Sequence, residues 1–257
     1  MIFGLLLALS LVAGAETGQR SPSAESAAPA PRYAAPKAPL HAGPAASRLF
    51  ESQEYVRNNP APDYWALAPY SLPQQEGTCA ASSLAMVLNA LNAHRKATAT
   101  DKLVTTKDLI EQVNDPAWAK SMQDKKCYGL DQLAEVLKVA LRKFGHEKTE
   151  VKIVHVSDAT TATAAALRQE LTANEKSDRD FIIANFLQGQ FTGDPDGTGH
   201  VSPVGAYDAQ KHRVLVLDVD REYYEPYWVT EEIFLAGMNT SDDGAKKFRG
   251  YLLIREP

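Results

Sequence analysis

Three residues of this 257-residue chain have the types and the order that nucleophilic catalysis by a thiol requires: Cys79, His200 and Asp218. Cys79 lies in the stretch GTCAASSLAMVLNAL, where apolar residues recur with helical spacing from Leu84 to Leu91. This spacing predicts an amphipathic helix that begins near Cys79. The start of a helix favours a thiolate over a thiol, which makes Cys79 a candidate nucleophile, although most free cysteines are simply small buried hydrophobic residues.

His200 and Asp218 lie on two segments that we expect to form one antiparallel hairpin. GTGHVSPVGAYD and RVLVLDVD are β-rich runs joined by the short connection AQKH. Counting back from this turn brings His200 and Asp218 roughly opposite one another and places Asp218 inside an apolar strand, where a carboxylate needs a partner. A histidine oriented by an aspartate is part of a nucleophilic triad, whereas such a pair taken alone is more often structural. With Cys79 upstream, the order Cys–His–Asp favours the triad.

The rest of the sequence predicts helices first and strands later, which is an α+β pattern. In chain order the predicted elements are a helix from Thr105 or Thr106 to Val113, a helix from Leu130 to Phe144 ended by Gly145, the strand VKIVHV, an Ala-rich helix from Ser157 or Asp158 to Leu171, and the strands DFIIANF and GYLLIRE. We therefore expect a helical part that carries Cys79 to pack on a sheet that carries His200 and Asp218.

The composition excludes several classes of function. A net charge of −5 gives no reason to expect nucleic acid or an anionic membrane surface as partner. The two cysteines, Cys79 and Cys127, cannot build a disulfide framework, and the six histidines lack the spacing of a zinc-binding motif.

The N-terminal region predicts export. MIFGLLLALSLVAGA has an apolar run followed by a small-x-small cleavage pattern that ends at Ala15. We expect residues 1–15 to be a signal peptide, residues 16–48 to be a disordered linker rich in Ala, Pro and Ser, and residues 49–257 to fold. The protein is then periplasmic or secreted, with no stable membrane span after cleavage. The alternative is a protein tethered to the membrane by an uncleaved N-terminal segment.

Taken together, these motifs resemble the catalytic domain of the phytochelatin synthases, the glutathione γ-glutamylcysteinyltransferases of the papain-like superfamily. CAASSLAMVLNAL is similar to the cysteine helix of the family, and GTGHVSPVGAYD to its motif G-T-G-H-x-S-P-x-G-x-Y. VLVLDVDREYYEPYWV resembles its Leu-Asp-Val-x-Arg segment. The resemblance runs from about Pro69 to Ile254, is to the short bacterial form, and implies a papain-like fold for the catalytic domain.

The resemblance implies acyl transfer on glutathione. Cys79 would attack the Cys–Gly amide and expel glycine, with His200 donating the proton and Asp218 orienting the imidazole. The γ-glutamylcysteinyl thioester would then react with a second glutathione, giving phytochelatin, or with water, giving γ-glutamylcysteine. The expected partners are glutathione and γ-glutamylcysteinyl peptides. The chemistry of the triad requires no cofactor. Cadmium or zinc would enter the site as glutathione thiolates. The resemblance leaves open whether the protein forms a homodimer.

Further site residues are implied by the same resemblance. Family members place a glutamine of the oxyanion hole six residues before the cysteine, but that position is Pro73 here, so a one-residue deletion would make Gln74 its counterpart. Four positions resemble substrate-contacting residues of the family: Arg221, Tyr224, Asp242 and Arg249. Arginine is the natural bidentate partner of the carboxylates of glutathione, although either arginine could equally form a solvated salt bridge. Several cysteines that the family carries near Cys127 are missing, so no metal ligand is assigned.

Two other classes of function remain open from the sequence alone. One is a papain-like peptidase that acts on another peptide, and the other is a non-enzymatic thiol or metal-binding protein that uses Cys79 and His200. The motif GTGHVSPVGAYD speaks against the peptidase, and the binding protein leaves the buried Asp218 unexplained. An exported enzyme would meet little glutathione, so we expect hydrolysis to dominate over transfer at low substrate concentration.

Overall fold

The expected α+β organisation is confirmed in the computed structural model, which describes residues 46–75, 77–96, 98–126, 128–193 and 198–257. Within these residues the strands are β1 (Ala46–Arg48), β2 (Glu150–His155), β3 (Asp180–Leu187), β4 (Gly199–Asp208), β5 (Arg213–Val216), β6 (Tyr227–Thr230), β7 (Ser241–Asp242), β8 (Lys247–Phe248) and β9 (Gly250–Arg255). The helices are α1 (Glu54–Asn58), α2 (Pro62–Leu67), α3 (Cys79–Ala93), α4 (Thr106–Val113), α5 (Pro116–Gln123), α6 (Leu130–Lys143), α7 (Thr161–Asn174), α8 (Gln188–Thr192) and α9 (Glu231–Met238).

Antiparallel pairing joins seven of the described strands into one sheet in the order β1-β6-β5-β4-β3-β9-β2, while β7 and β8 pair with each other as a separate hairpin. The predicted hairpin is present as β4 and β5, joined by AQKH. Successive residues of a strand face opposite sides of its sheet, and the two faces contribute to two apolar clusters. Ile183 and Leu252 belong to the cluster that contains α3, whereas Ile182 and Leu253 belong to the other.

Helix α3 differs from the amphipathic helix that its sequence predicts. Each residue from Cys79 to Leu91 is buried, including the serines and Asn89. The helix packs against β4 and also against α2, α4 and α6, so no face is left for solvent. Asn89 and Ser83 make internal hydrogen bonds, such as those between the side chain of Asn89 and the backbone of Val104.

Several element boundaries differ from the sequence-based expectations. The Ala-rich helix α7 begins after Thr160, whose hydroxyl accepts from the Thr163 amide, and it ends at Asn174 rather than Leu171. Asp158 does not cap the helix directly; its carboxylate accepts from the amide and the hydroxyl of Thr160. The helices α1, α2, α5, α8 and α9 and the strands β1, β6, β7 and β8 were not expected from the sequence.

The expected linker extended too far toward the C-terminus, because Ala46–Arg48 forms strand β1 on the edge of the sheet. Backbone pairing with β6 orders these residues. The amino-acid composition of a segment does not predict pairing of this kind. The predicted signal peptide, residues 1–15, and the rest of the linker lie outside the described residues. Among the helices that are described, none combines the length and the apolar character needed to cross a membrane.

Candidate active site

Cys79 is the first residue of α3 and is 3% exposed. The preceding Thr78 is the N-cap residue, but its hydroxyl donates to the carbonyl of Gln75 at 2.7 Å and accepts from the Gln75 amide at 2.9 Å. Thr78 therefore leaves the amides of the first helical turn without a side-chain cap. These amides and the helix dipole stabilise negative charge at Cys79, as a nucleophilic thiolate requires.

The turn that leads into α3 depends on Gly77. Its φ of +84° lies in the region that favours glycine, and a Cβ atom there would come within 2.9 Å of the Met122 carbonyl oxygen. Gly77 thus allows the chain to pass close to the end of α5 and to present Cys79 at the start of the helix.

One hydrogen bond ties the beginning of α3 to the beginning of β4. The hydroxyl of Ser83, one turn after Cys79, donates to the carbonyl of Val201 at 3.0 Å, in the buried interior. Val201 directly follows His200, so this bond holds the first turns of the cysteine helix beside the strand position of the histidine. Residues far apart in the chain, Cys79 and His200, are brought to the same region of the fold.

His200 and Asp218 form the buried pair that the sequence predicts. Nε2 of His200 lies 2.8 Å from Oδ1 of Asp218, and the two residues are 4% and 1% exposed. Because Nε2 faces the carboxylate, Nδ1 is the ring nitrogen through which His200 can exchange a proton with a thiol or a leaving group.

Two further donors hold the carboxylate of Asp218. The Asp220 amide donates to Oδ1 at 2.8 Å, and the hydroxyl of Tyr227 donates to Oδ2 at 2.7 Å. Burial by itself would raise the pKa of Asp218, but the charge of His200 and the hydrogen bonds from His200, Tyr227 and Asp220 outweigh burial and lower it. Burial and the neighbouring Asp218 raise the pKa of Tyr227 well above its ordinary value, so Tyr227 stays a donor.

Asp218 lies two residues beyond the end of β5, not inside that strand as the sequence suggested. The pairing of β4 with β5 shifts by one residue between Val204 and Ala206, and the Leu217 amide donates to the carbonyl of Pro203. Continuing this register places Asp218 opposite Ser202 rather than opposite His200. The imidazole therefore reaches Asp218 diagonally, which is why a count back from the turn located the pair only approximately.

Tyr227 was missed from the sequence because only the sheet order reveals its role. Strand β6 pairs with β5 so that Tyr227 lies opposite Val216, two residues before Asp218. This pairing brings the hydroxyl of Tyr227 to Oδ2 of Asp218. The only signal in the sequence is a tyrosine in the aromatic run that follows Asp218.

Gln74 and Arg221 lie near the triad segment. The Gln74 amide donates to the carbonyl of Val219, next to Asp218, at 2.7 Å, and its side chain is half-buried. Nη1 of Arg221 donates to the hydroxyl of Ser71 at 3.3 Å. The loop before α3 and the segment after Asp218 therefore run side by side, so both residues border the candidate site.

Arg249 is adjacent to the entry of the histidine strand. It is 9% exposed, and Nη1 donates to Oγ1 of Thr240 at 3.1 Å and to the carbonyl of Ser241. A Cβ atom on Gly199, the residue before His200, would lie 2.9 Å from Nη2 of Arg249. The guanidinium thus occupies the space beside Gly199, and a buried cation at that point is not a solvated salt bridge.

The other two positions assigned from the resemblance have different surroundings. Asp242 ends β7, where its carboxylate accepts from the amides of Gly244 and Ala245 at 3.1 and 3.2 Å. Tyr224 is 4% exposed, and its ring packs on those of Tyr223 and Tyr227 in the second apolar cluster. Its contact with Tyr227 places Tyr224 next to the His200–Asp218 pair rather than on an open surface.

Three buried polar atoms near Arg249 and the end of β3 make no hydrogen bond with the described residues: Asn185 Oδ1, Gln188 Nε2 and Arg249 Nε. Asn185 pairs in the sheet with Val201 and with Gly250, which are the neighbours of His200 and Arg249. Buried polar atoms rarely stay unpaired, so a ligand is one natural partner for them. Within the described part of the chain, no group of three or more His, Cys, Asp or Glu side chains is arranged to hold a metal ion.

The sequence is similar to those of several glutathione gamma-glutamylcysteinyltransferases. Glutathione gamma-glutamylcysteinyltransferase 1 of Lotus japonicus is 29% identical over 213 residues, which are 79% of this chain and 38% of that protein. The protein of the same name from Triticum aestivum is 35% identical over 96 residues, which are 37% of this chain and 19% of that protein. The chain thus spans no more than 38% of the length of these two relatives.

A solved structure, that of the Pseudomonas avirulence protein AvrPphB, matches 74% of this chain and 98% of its own with a TM-score of 0.35 and 10% identity. The family model of phytochelatin synthase matches residues 41–251, which include each of the candidate site residues from Gln74 to Arg249. Because that match extends over most of the sequence, this chain belongs to the phytochelatin synthase family.

Proposed function

We propose that this protein cleaves the Cys–Gly amide of glutathione through a γ-glutamylcysteinyl thioester on Cys79. The observation that carries the proposal is the buried His200–Asp218 pair, held by Tyr227 and joined through Ser83 to the helix that begins at Cys79. Membership of the phytochelatin synthase family supplies the substrate class.

The proposed reaction proceeds in two half-reactions. The Cys79 thiolate attacks the carbonyl carbon of the Cys–Gly amide, and protonated His200 gives its Nδ1 proton to the leaving nitrogen, so that glycine departs and the thioester forms. Water, or the amine of a second glutathione, then attacks the thioester and loses a proton to His200, while Cys79 leaves as a thiolate. In both halves the oxyanion would lie at the start of α3, where helix amides and Gln74 can stabilise it.

The γ-glutamyl end of glutathione carries a carboxylate and an ammonium group, and both need partners. Arg249 is a buried cation whose Nε has no acceptor among the described residues, and it suits the carboxylate. Asp242 and the buried oxygen of Asn185 offer acceptors that suit the ammonium group. Arg221, near Ser71 on the other border of the site, would take a carboxylate of the second glutathione.

Hydrolysis is expected to exceed transfer at low glutathione concentration, because water competes with a dilute second substrate. Cadmium or zinc would take part as glutathione thiolates, that is, as part of the substrate. Export through residues 1–15 would place this chemistry in the periplasm or outside the cell. A ratio of γ-glutamylcysteine to phytochelatin that falls as glutathione rises, measured with and without cadmium, is the expected result.

The deciding experiment is incubation of the purified protein with glutathione, followed by mass analysis of products and protein. We expect release of glycine and an adduct of γ-glutamylcysteinyl mass on Cys79. Cys79→Ser should release no glycine, and Cys127→Ser, the matched control, should remain active. Cleavage of unrelated peptides without glycine release from glutathione would instead favour a peptidase, and an adduct on Cys127 would refute the assignment of the nucleophile.

A further inference from the structure

The β7–β8 hairpin carries Asp242 and leads directly into Arg249, yet it lies outside the main sheet. Contacts that hold this hairpin in place therefore also position Asp242 and Arg249, which bind the substrate in the proposed function. Its turn packs on the start of α6, where Ala245 approaches Gly129 so closely that a Cβ atom on Gly129 would collide with it. Polar contacts around His155 also hold the hairpin.

His155 is the last residue of β2 and holds the backbone on the C-terminal side of the hairpin. Its Nδ1 lies 2.6 Å from the carbonyl oxygen of Phe248. The next residue, Val156, donates its amide to the carbonyl of Arg249 at 2.9 Å. Two successive carbonyls, those of Phe248 and Arg249, are therefore held by two successive residues at the end of β2.

The second ring nitrogen of His155 faces a carboxylate. Nε2 is buried and lies 3.2 Å from Oδ2 of Asp131, in the first turn of α6, at an ion-pair distance without the geometry of a hydrogen bond. The same oxygen accepts from Nζ of Lys247 in β8 at 2.9 Å. Asp131 of α6 and Lys247 of the hairpin are charged side chains that face this cluster within the described part of the chain.

The donor and acceptor chemistry of this cluster depends on the charge of the ring. A carbonyl only accepts, so Nδ1 must carry a proton; a neutral ring would then turn the lone pair of Nε2 toward the Asp131 oxygen. A protonated ring presents N–H groups to both acceptors and is attracted to the carboxylate. With either charge, the Nδ1–H group donates to the carbonyl oxygen of Phe248.

We propose that His155 is a positioning residue: it clamps the β7–β8 hairpin between β2 and α6 and so holds Asp242 and Arg249 in place for glutathione. This inference rests on the proposed function for its substrate. His155 takes no part in bond making or breaking, so its loss should weaken substrate binding while the chemistry at Cys79 continues.

The test compares His155→Gln with His94→Gln, because His94 also places a ring nitrogen 2.9 Å from a carbonyl oxygen, that of Asp178, and lies 4.0 Å from the carboxylate of the same residue. His94 follows the far end of α3, remote from the hairpin. In glycine-release assays we expect His155→Gln to raise KM several-fold with little change in kcat, and His94→Gln to leave both unchanged.

A substrate-free measurement separates this inference from the proposed function. Hydrogen–deuterium exchange of residues 241–248, compared at equal pH, should be faster in His155→Gln and in Asp131→Asn than in the wild type. Equal exchange and equal KM in His155→Gln and the wild type would overturn the clamp. Absence of glycine release by the wild type would overturn the proposed function, and the exchange data would still decide whether His155 holds the hairpin.

Discussion

The carboxylate of Asp218 shows how closely a single residue can be constrained. Its two oxygens accept from the His200 ring, the Asp220 amide and the Tyr227 hydroxyl, and Asp218 is 1% exposed, which keeps bulk solvent away from these bonds. The lowered pKa of Asp218 keeps it ionised, so that it can stabilise a positively charged His200, as the proposed mechanism requires. The charge of Asp218 therefore matters as well as its shape.

Replacement of Asp218 by asparagine tests that charge. Asp218→Asn should remain folded and should lower kcat for glycine release by roughly 10²- to 10⁴-fold, because the imidazolium loses its counter-charge. The measurement is a glycine-release assay, with circular dichroism to verify the fold. Asp220→Asn is the matched control, since Asp220 contributes its backbone amide to the network and should retain near wild-type activity. Full activity of Asp218→Asn would contradict the triad assignment.

Tyr227→Phe removes one hydrogen bond from the same carboxylate without changing the shape of the ring. Hydrogen bonds to charged groups contribute about 1.5–3 kcal/mol, so we expect the free energy of unfolding to fall by an amount in this range. Turnover should fall several-fold while KM stays constant, because Tyr227 is fully buried and contacts Asp218 rather than substrate. A rise in KM at constant kcat would show that Tyr227 acts on binding instead. Denaturant titration and steady-state kinetics provide the two readouts.

At the scale of elements, the bulge in β4 sets the position of Asp218. The register of β4 against β5 shifts around Gly205, and Leu217, the residue before Asp218, fills the space above that glycine. A Cβ atom on Gly205 would lie 2.7 Å from Cγ of Leu217. The glycine therefore allows Leu217 to pack and Asp218 to turn toward His200.

Gly205→Ala should consequently damage both stability and activity. Overpacking of this kind typically costs about 1–3 kcal/mol, and the displacement of Leu217 should lower turnover by moving Asp218. Combination with Leu217→Ala relieves the collision, so the double variant should lose less stability than the sum of the two single variants. Urea unfolding of the four proteins measures this coupling. Strictly additive losses in the free energy of unfolding would mean that a side chain at position 205 does not collide with Leu217.

At the scale of the whole molecule, buried acids connect the N-terminal helices to the rest of the fold. Asp63 of α2 is fully buried and accepts a hydrogen bond from Asn174, at the end of α7. Glu175 accepts from the Tyr55 hydroxyl at 3.1 Å and from the Tyr207 amide at 2.7 Å. Burial, which outweighs these two hydrogen bonds, raises the pKa of Glu175 to about 7. Burial likewise raises the pKa of Asp63 well above its ordinary value.

A raised carboxyl pKa makes stability depend on pH with a definite sign. The folded protein binds the Glu175 proton more tightly than the unfolded chain, whose glutamate has an ordinary pKa of 4.5, so this stabilisation is complete below that value and is lost as pH rises to about 7. The loss is at most about 1.4 kcal/mol per pH unit for one proton, and less here because Glu175 is partly exposed. In Glu175→Gln this loss should disappear.

The measurement is the free energy of unfolding of wild type and Glu175→Gln in urea at several pH values between about 4.5 and 7.5. The difference between the two proteins isolates Glu175, because Asp63 and the other titrating groups are common to both. The wild type should lose stability relative to the variant as pH rises. Parallel curves would show that Glu175 titrates normally in the folded protein.

The sequence by itself determined the features that depend on local pattern. A hydrophobic repeat, a turn and a helix cap each depend on residues that are close together in the sequence. For that reason the helix that starts at Cys79, the β4–β5 hairpin and the helix capped at Thr105 all occur where they were expected. The α+β class and the pairing of His200 with Asp218 follow from these elements. The resemblance of the motifs also indicated Arg249 as a substrate-contacting residue, whereas its position beside Gly199 is visible only in the structure.

Only the tertiary structure decided the features that depend on contacts between distant segments. Burial of α3 on all sides, the Tyr227 hydrogen bond to Asp218 and the contacts of His155 with Phe248 and Asp131 each join parts of the chain whose own sequences carry no sign of the partner. The register shift in β4 belongs to the same class, since it is set by how Leu217 packs. Strand order and side-chain packing are collective outcomes of the whole core, so no local period can predict them.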